Sequence, residues 1–165
     1  MPSYDKSTIA DLIDGTLPWP QLKSMMSSYK DDDRFGTFVH ILQSRVSWSE
    51  RILLPIGEHL YIVQSDHGRI VKCDCGQEFG DYRENWKLES LIRVRGDRDS
   101  IEAIYPGRYS CDPEWLEIRE FLCPGCLVLL EVEAAPPGFP VVFDFLPDLE
   151  TFYRDWLEQP LPENS

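Results

Sequence analysis

The sequence predicts an α+β fold of central antiparallel β-hairpins stapled by a four-cysteine zinc site, with helical extensions at both ends. Three observations predict it. Apolar residues in the first third recur with helical spacing. Those of the middle fall in short runs bounded by turn residues. Four of the five cysteines arrive as two close pairs, Cys73-Asp74-Cys75 and Cys123-Pro124-Gly125-Cys126. The expected division is a helical N-terminal extension (1–50), a zinc-stapled β-rich core (51–134), and a proline-rich linker with a C-terminal helix (135–165).

Ser7 can cap a first helix running through Leu12 and Ile13 to a stop at Gly15. After Pro18 and Pro20, a second helix is expected from Gln21 through Met25, Met26 and Tyr29. Lys30-Asp31-Asp32-Asp33-Arg34 reads as a turn with an acidic cap, leading into Phe35, Phe38, Val39, Ile41 and Leu42 at helical spacing. A metal-binding reading of the three aspartates lacks a ligand-bearing loop after them.

Arg51-Ile52-Leu53-Leu54, Leu60-Tyr61-Ile62-Val63 and Arg69-Ile70-Val71-Lys72-Cys73 carry hairpin signals, with Ser65-Asp66-His67-Gly68 as a turn. A further strand is expected from Trp86 to Arg95, then a short helix around Ser100–Tyr105 that stops at Pro106-Gly107. Runs at 115–122 and 127–132 place the second cysteine pair at a hairpin tip. Residues 135–140 form a stiff linker. Pro147-Asp148 then opens a helix with Leu149, Phe152, Tyr153, Trp156 and Leu157, closed by Pro160 and Pro162. For these aromatic ends two readings stay open, packing on the chain's own core or clasping larger partners.

A chain of 165 residues can bury a sizeable core, so zinc would be a staple rather than the sole source of stability. A net charge of −13 repels phosphate backbones and disfavours nucleic-acid binding. No stretch approaches the roughly 20 apolar residues of a membrane span. Met1-Pro2-Ser3-Tyr4-Asp5-Lys6 lacks a basic region followed by an apolar one. An odd cysteine count with two knuckle-like pairs suits a reducing compartment, so the expected location is cytoplasmic.

Cys73 and Cys75, two apart at the end of an extended strand, would project to one side. Cys123 and Cys126 span Pro-Gly, which has the turn chemistry of a metal knuckle. Free core thiols and a redox couple are the alternatives, but a redox pair should open a helix within a βαβ pattern. Four cysteine ligands leave no open coordination position, which would make the metal structural. Lys72 and Lys87 are candidates to offset the negative tetrathiolate. Cys111 reads as a small packed residue. His40, His59 and His67 stand at no nucleophile–base spacing. Glu131 and Glu133 are expected to face solvent, and no catalytic residue is assigned.

Beyond the cysteines, the chain resembles the small γ subunits of the acetone carboxylase family, which includes the acetophenone carboxylase type. The resemblance is carried by Ile9-Ala10-Asp11-Leu12-Ile13-Asp14-Gly15, Ile52-Leu53-Leu54-Pro55-Ile56-Gly57, Cys73-Asp74-Cys75-Gly76 and Asn85-Trp86-Lys87-Leu88. Ile101-Glu102-Ala103-Ile104-Tyr105-Pro106, Ile118-Arg119-Glu120-Phe121-Leu122-Cys123-Pro124-Gly125-Cys126 and Phe152-Tyr153-Arg154-Asp155-Trp156-Leu157 complete it. It implies a cytoplasmic complex with two large, hydantoinase-like subunit types, α and β, usually two copies of each chain. Such complexes carboxylate acetone or acetophenone with ATP and bicarbonate, and ATP and a further metal are expected only in the partner subunits. Cys73, Cys75, Cys123 and Cys126 would hold a structural Zn²⁺ in this one. The chain departs from the pattern at Leu127, where a glycine is expected, and around residues 107–111. The competing readings are a stand-alone zinc-ribbon interaction or nucleic-acid-binding module, and an independent enzyme using Cys111 or a redox pair.

Overall fold

Leu60-Tyr61-Ile62-Val63 are apolar in succession because their strand lies between two layers of the molecule. The computed structural model describes residues 4–29 and 31–162. Met1-Pro2-Ser3 of the leader reading and Lys30 of the acidic turn lie outside the described residues. Three helices come first, α1 (Lys6–Ile13), α2 (Trp19–Ser27) and α3 (Arg34–Arg45). Then β1 (Arg51–Pro55), β2 (Leu60–Ser65), β3 (Gly68–Cys73) and β4 (Glu78–Asp81) form an antiparallel sheet in that order. A 3₁₀ turn, Trp86–Glu89, leads to β5 (Leu91–Arg95) and α4 (Arg98–Glu102). Strands β6 (Glu117–Leu122) and β7 (Leu129–Ala135) complete a second antiparallel sheet, ordered β5-β6-β7. Near the end, α5 (Leu149–Thr151) runs into a π turn over Phe152–Trp156. The α+β class and the antiparallel hairpins are as the sequence predicts.

Side-chain alternation sets the layering. Leu60 and Ile62 join Leu53, Val71, Cys73, Phe79, Trp86 and Phe121 in a core between the two sheets. Tyr61 and Val63 face the other way, packing with Ile52 and Leu42 under α3. The three N-terminal helices share a further cluster around Ile9, Leu17, Met25 and Ile41. The first sheet is therefore the middle layer, with helices on one face and the second sheet on the other. Among the described residues no helix is long and apolar enough to cross a membrane.

Several local expectations are corrected. The cap of α1 is Asp5, whose carboxylate accepts from Thr8 N–H at 2.7 Å, while the Ser7 hydroxyl donates to the same oxygen. Helix α2 starts at Trp19, because Pro20 in the first turn has no N–H that a helix needs there. Asp33 occupies the cap position of α3 without a side-chain cap bond. Buried Asp31 instead accepts from Arg34 Nε at 2.6 Å.

The stretch 86–95 is not one strand. The Asn85 side chain accepts from Lys87 N–H and starts a 3₁₀ turn that buries Trp86 between the rings of Phe79 and Phe121. Of the two readings of the aromatic ends, packing on the core is seen in part. The Tyr153 hydroxyl, buried, donates to the Leu53 carbonyl at 2.8 Å, while Trp19 and Trp156 stay exposed.

Glu131 and Glu133 do not point freely into solvent. Lys87 is 1% exposed, and its Nζ lies 2.6 Å from Glu131, 3.5 Å from Glu133 and 3.0 Å from Asp144. A buried ammonium requires counter-charge, and these carboxylates turn inward to supply it.

Candidate metal centre

Strand β3 delivers Cys73 into the core, and the chain then folds back so that Gly76 N–H donates to the Cys73 carbonyl at 2.9 Å. Gly76 sits at φ +99°, a conformation that favours glycine, and this brings Cys75 round to the same site. Cys75 therefore arrives from the turn and not along the strand. Between β6 and β7, Leu127 N–H donates to the Cys123 carbonyl at 2.9 Å and Cys123 N–H to Val128 at 3.0 Å. Leu127 is held at φ +61°, so the position where a glycine is expected does have left-handed backbone. At Gly125 a β-carbon would stand 3.3 Å from Cys75 Sγ and 3.2 Å from Gln77 Cβ. The two knuckles approach so closely there that a side chain at position 125 would require its neighbours to give by a few tenths of an ångström.

The four sulfurs, of Cys73, Cys75, Cys123 and Cys126, lie within 4.8 Å of one another. Cys73 Sγ is 3.9 Å from Cys126 Sγ, and Cys75 Sγ is 3.6 Å from Cys123 Sγ. Both distances far exceed a disulfide bond of about 2.05 Å. They match the sulfur–sulfur edge of about 3.8 Å in a tetrahedron with Zn–S near 2.3 Å. The four residues could thus hold a metal ion, and the short contacts run between the pairs, tying the first sheet to the second. Cys73 and Cys123 are buried while Cys75 and Cys126 are exposed. Burial pushes the Cys73 thiol well above the usual cysteine range, so a cation entering the cluster must displace a firmly held proton.

Asp74 supports the first knuckle. Its N–H donates to the His59 carbonyl at 3.1 Å, and its carbonyl accepts from Trp48 Nε1–H at 3.1 Å. Its carboxylate lies 2.7 Å from His59 Nδ1, which fixes the ring beside the knuckle. The assignment of Lys72 and Lys87 to the sulfurs is corrected. Lys72 is bound to Glu50 and Glu78 and lies over the Trp48 ring, and Lys87 is held by its three carboxylates. Burial alone would lower both ammonium pKa values, but the carboxylate hydrogen bonds reverse this and raise them.

The site lies within the segment that known proteins share. The pattern described as acetone carboxylase gamma subunit matches residues 46–157, from just before β1 to the C-terminal π turn. The chain belongs to this family. It is 44% identical over 165 residues to the acetone carboxylase gamma subunit of Xanthobacter autotrophicus, covering 99% of this chain and 98% of that one. It is 35% identical over 80 residues to the acetophenone carboxylase beta subunit of Aromatoleum aromaticum, covering 47% of this chain and 62% of that one. The resemblance read from the sequence blocks is thus shown.

Family membership does not draw the remaining sequence-singled residues into the site. Cys111 is half-buried, its thiol 3.8 Å from the Leu116 carbonyl, in a shallow cleft of about 240 Å³ with Tyr105, Tyr109, Ile118 and Val132. His40 and His67 are exposed, on α3 and in the β2–β3 turn. Trp48 and the close approach at Gly125 are supports that sequence reasoning missed. Trp48 lacks a local signal, because its partner Asp74 becomes a neighbour only through the fold.

Proposed function

We propose that this member of the acetone carboxylase gamma subunit family is a zinc-stapled, non-catalytic small subunit of an ATP-dependent ketone carboxylase. The carrying observation is that four cysteine sulfurs from both sheets gather within 4.8 Å of one another, with contacts of 3.9 and 3.6 Å between the pairs near the edge of a zinc tetrahedron. Four thiolates fill a tetrahedral zinc shell, so the ion would supply cross-linking and no open position for substrate. Cys73, Cys75, Cys123 and Cys126 are its proposed ligands.

The names of the relatives support acetone or acetophenone as the ketone of the complex, giving acetoacetate or benzoylacetate. ATP, bicarbonate and any further metal would be handled by large, hydantoinase-like α and β subunits, with two copies of each chain in a cytoplasmic assembly. In this reading residues 51–134 are the stapled core, and 1–50 and 135–165 are extensions that pack on it and present Trp19 and Trp156 outward.

The test is to purify the chain with its partner subunits, assay metal content, and titrate with a chelator while following assembly and carboxylation together. Four-thiolate zinc near one equivalent, and dissociation of this chain before or together with loss of activity, are expected. Loss of carboxylation with the complex intact would contradict a purely structural metal. A chain that is stable alone and ignores the carboxylase subunits would remove the assembly role.

A further inference from the structure

Four strands end the two sheets, and three of them interrupt their own pairing. The β1–β2 ladder shifts register between Ile52 and Leu54, the β3–β4 ladder between Ile70 and Lys72, and the β6–β7 ladder between Phe121 and Leu122. Such bulges are among the devices that blunt sheet edges against adding another chain. Strand β5 differs. It pairs with β6 without a break from Leu91↔Leu122 to Arg95↔Ile118, and its outer edge has no strand partner among the described residues.

The side chains of β5 from Leu91 to Val94 are exposed on both faces, and Arg95 at its end is buried. Leu91 is 48% exposed, Ile92 38% and Val94 51%. Register sets Leu91 beside Leu122 and Leu129, so the apolar row continues across the sheet towards the second knuckle. The exposed charge on the strand is Arg93, whose contact with Glu120 is a loose 3.6 Å. Residues 91–108 carry Arg93, Arg95, Arg98 and Arg108 against Asp97, Asp99 and Glu102, in a chain whose net charge is −13. Within β5 itself both charges are basic, and since Arg95 is buried against Glu120 the edge presents Arg93 alone.

We propose that the β5 edge receives an extended segment of a partner carboxylase subunit as a fourth strand, with a carboxylate opposite Arg93 between apolar neighbours. The proposal rests on the assembly reading above. Backbone hydrogen bonds along the edge would supply affinity, and the alternating pockets on both faces specificity. A second copy of this chain fits poorly, because full antiparallel overlap of two β5 strands sets Arg93 opposite Arg93. The metal cluster would hold the hairpin of β6 and β7, on which β5 is laid, at a fixed position for that partner.

The experiment co-expresses the chain with both large subunits and measures its retention in the complex for wild type, Arg93→Glu and Val94→Lys, alongside the melting temperature of each chain. Wild-type retention with at least tenfold weaker retention of both variants, at unchanged melting temperature, is expected. A photo-crosslinker at position 94 should capture an extended partner segment, and reversing its carboxylate should restore binding of Arg93→Glu. Retention of both variants at the wild-type level overturns the edge proposal and leaves the assembly reading standing. Failure of the wild type to co-purify overturns both. Conversion of an isolated dimer to a monomer by Val94→Lys, with retention unchanged, would assign the edge to a second copy instead.

Discussion

The two sheets reach burial by different chemistry. The first places hydrocarbon on both faces, with β2 alternating between the inter-sheet core and the cluster under α3, and buries one cation, Lys72, against Glu50 and Glu78. The second has one face against that core, and its buried cations, Arg95, Arg119 and the adjoining Lys87, are neutralised by Glu117, Glu120, Glu131, Glu133 and Asp144. Ion pairs of this kind contribute less net stability than equivalent hydrocarbon, and breaking one partner is costly. The first sheet is thus completed by its own chain. The second depends more heavily on charge balance, shares the four sulfurs with the first, and keeps an open edge.

The largest expected effect tests that dependence directly. Removing the proposed zinc should cost on the order of 10 kcal/mol if the site behaves as small zinc modules do. Hydrogen exchange should show β6 and β7 amides losing protection at lower chelator concentration than β2. Simultaneous loss would break the distinction between the sheets. Bound thiolates must regain protons to release the metal, so this stabilisation is present at high pH and lost as pH falls. Burial, which pushes the Cys73 thiol up in the metal-free chain, moves that loss to higher pH.

Next in size is Lys87→Met, which strands three carboxylates around a buried position. A loss of about 3 kcal/mol in denaturant unfolding is expected, the low end for a buried pair because the carboxylates reach water. Gly125→Ala presses a methyl group against Cys75 Sγ, and about 1–3 kcal/mol with weaker metal retention should follow. Leu127→Gly has the opposite sign. Relief of the left-handed backbone should raise stability by about 1 kcal/mol, read as a higher melting temperature.

The smallest effect belongs to the first sheet. The Arg83 guanidinium holds the Asp81 carboxyl at about 2. Its contribution is complete above the ordinary value of 3.8 and is lost as pH falls through about 2. Asp81→Asn should remove that acid-side slope and cost no more than about 0.5 kcal/mol at neutral pH, since the pair is largely solvated.

Much of this architecture is legible because its signals are local. The spacing of Phe38, Val39, Ile41 and Leu42 marks α3, and Cys-x-Cys with Cys-Pro-Gly-Cys marks the knuckles. Leu127 stands out as a missing glycine, and its positive φ gives the physical reason. Other features depend on neighbours distant in sequence. Nothing near Lys87 announces Glu131 and Asp144, so both the lysine and the glutamates are misread from the chain alone. Asp5 displaces Ser7 as a cap through a choice between adjacent acceptors that composition does not decide. The strand expected over 86–95 is cut by the packing of Trp86 between rings from both sheets.

The sulfur contacts also define a closed circuit in the chain, from Cys75 to Cys123, that takes in β4, β5, α4 and the 3₁₀ turn at Gly107–Tyr109. Once a metal closes such a circuit, the entropy of its length grows only logarithmically, and doubling it costs about 0.6 kcal/mol. The exposed turn at Gly107 can therefore take added residues while the cluster and both hairpins keep their geometry. It is the natural place for a reporter peptide to be inserted without loosening the metal.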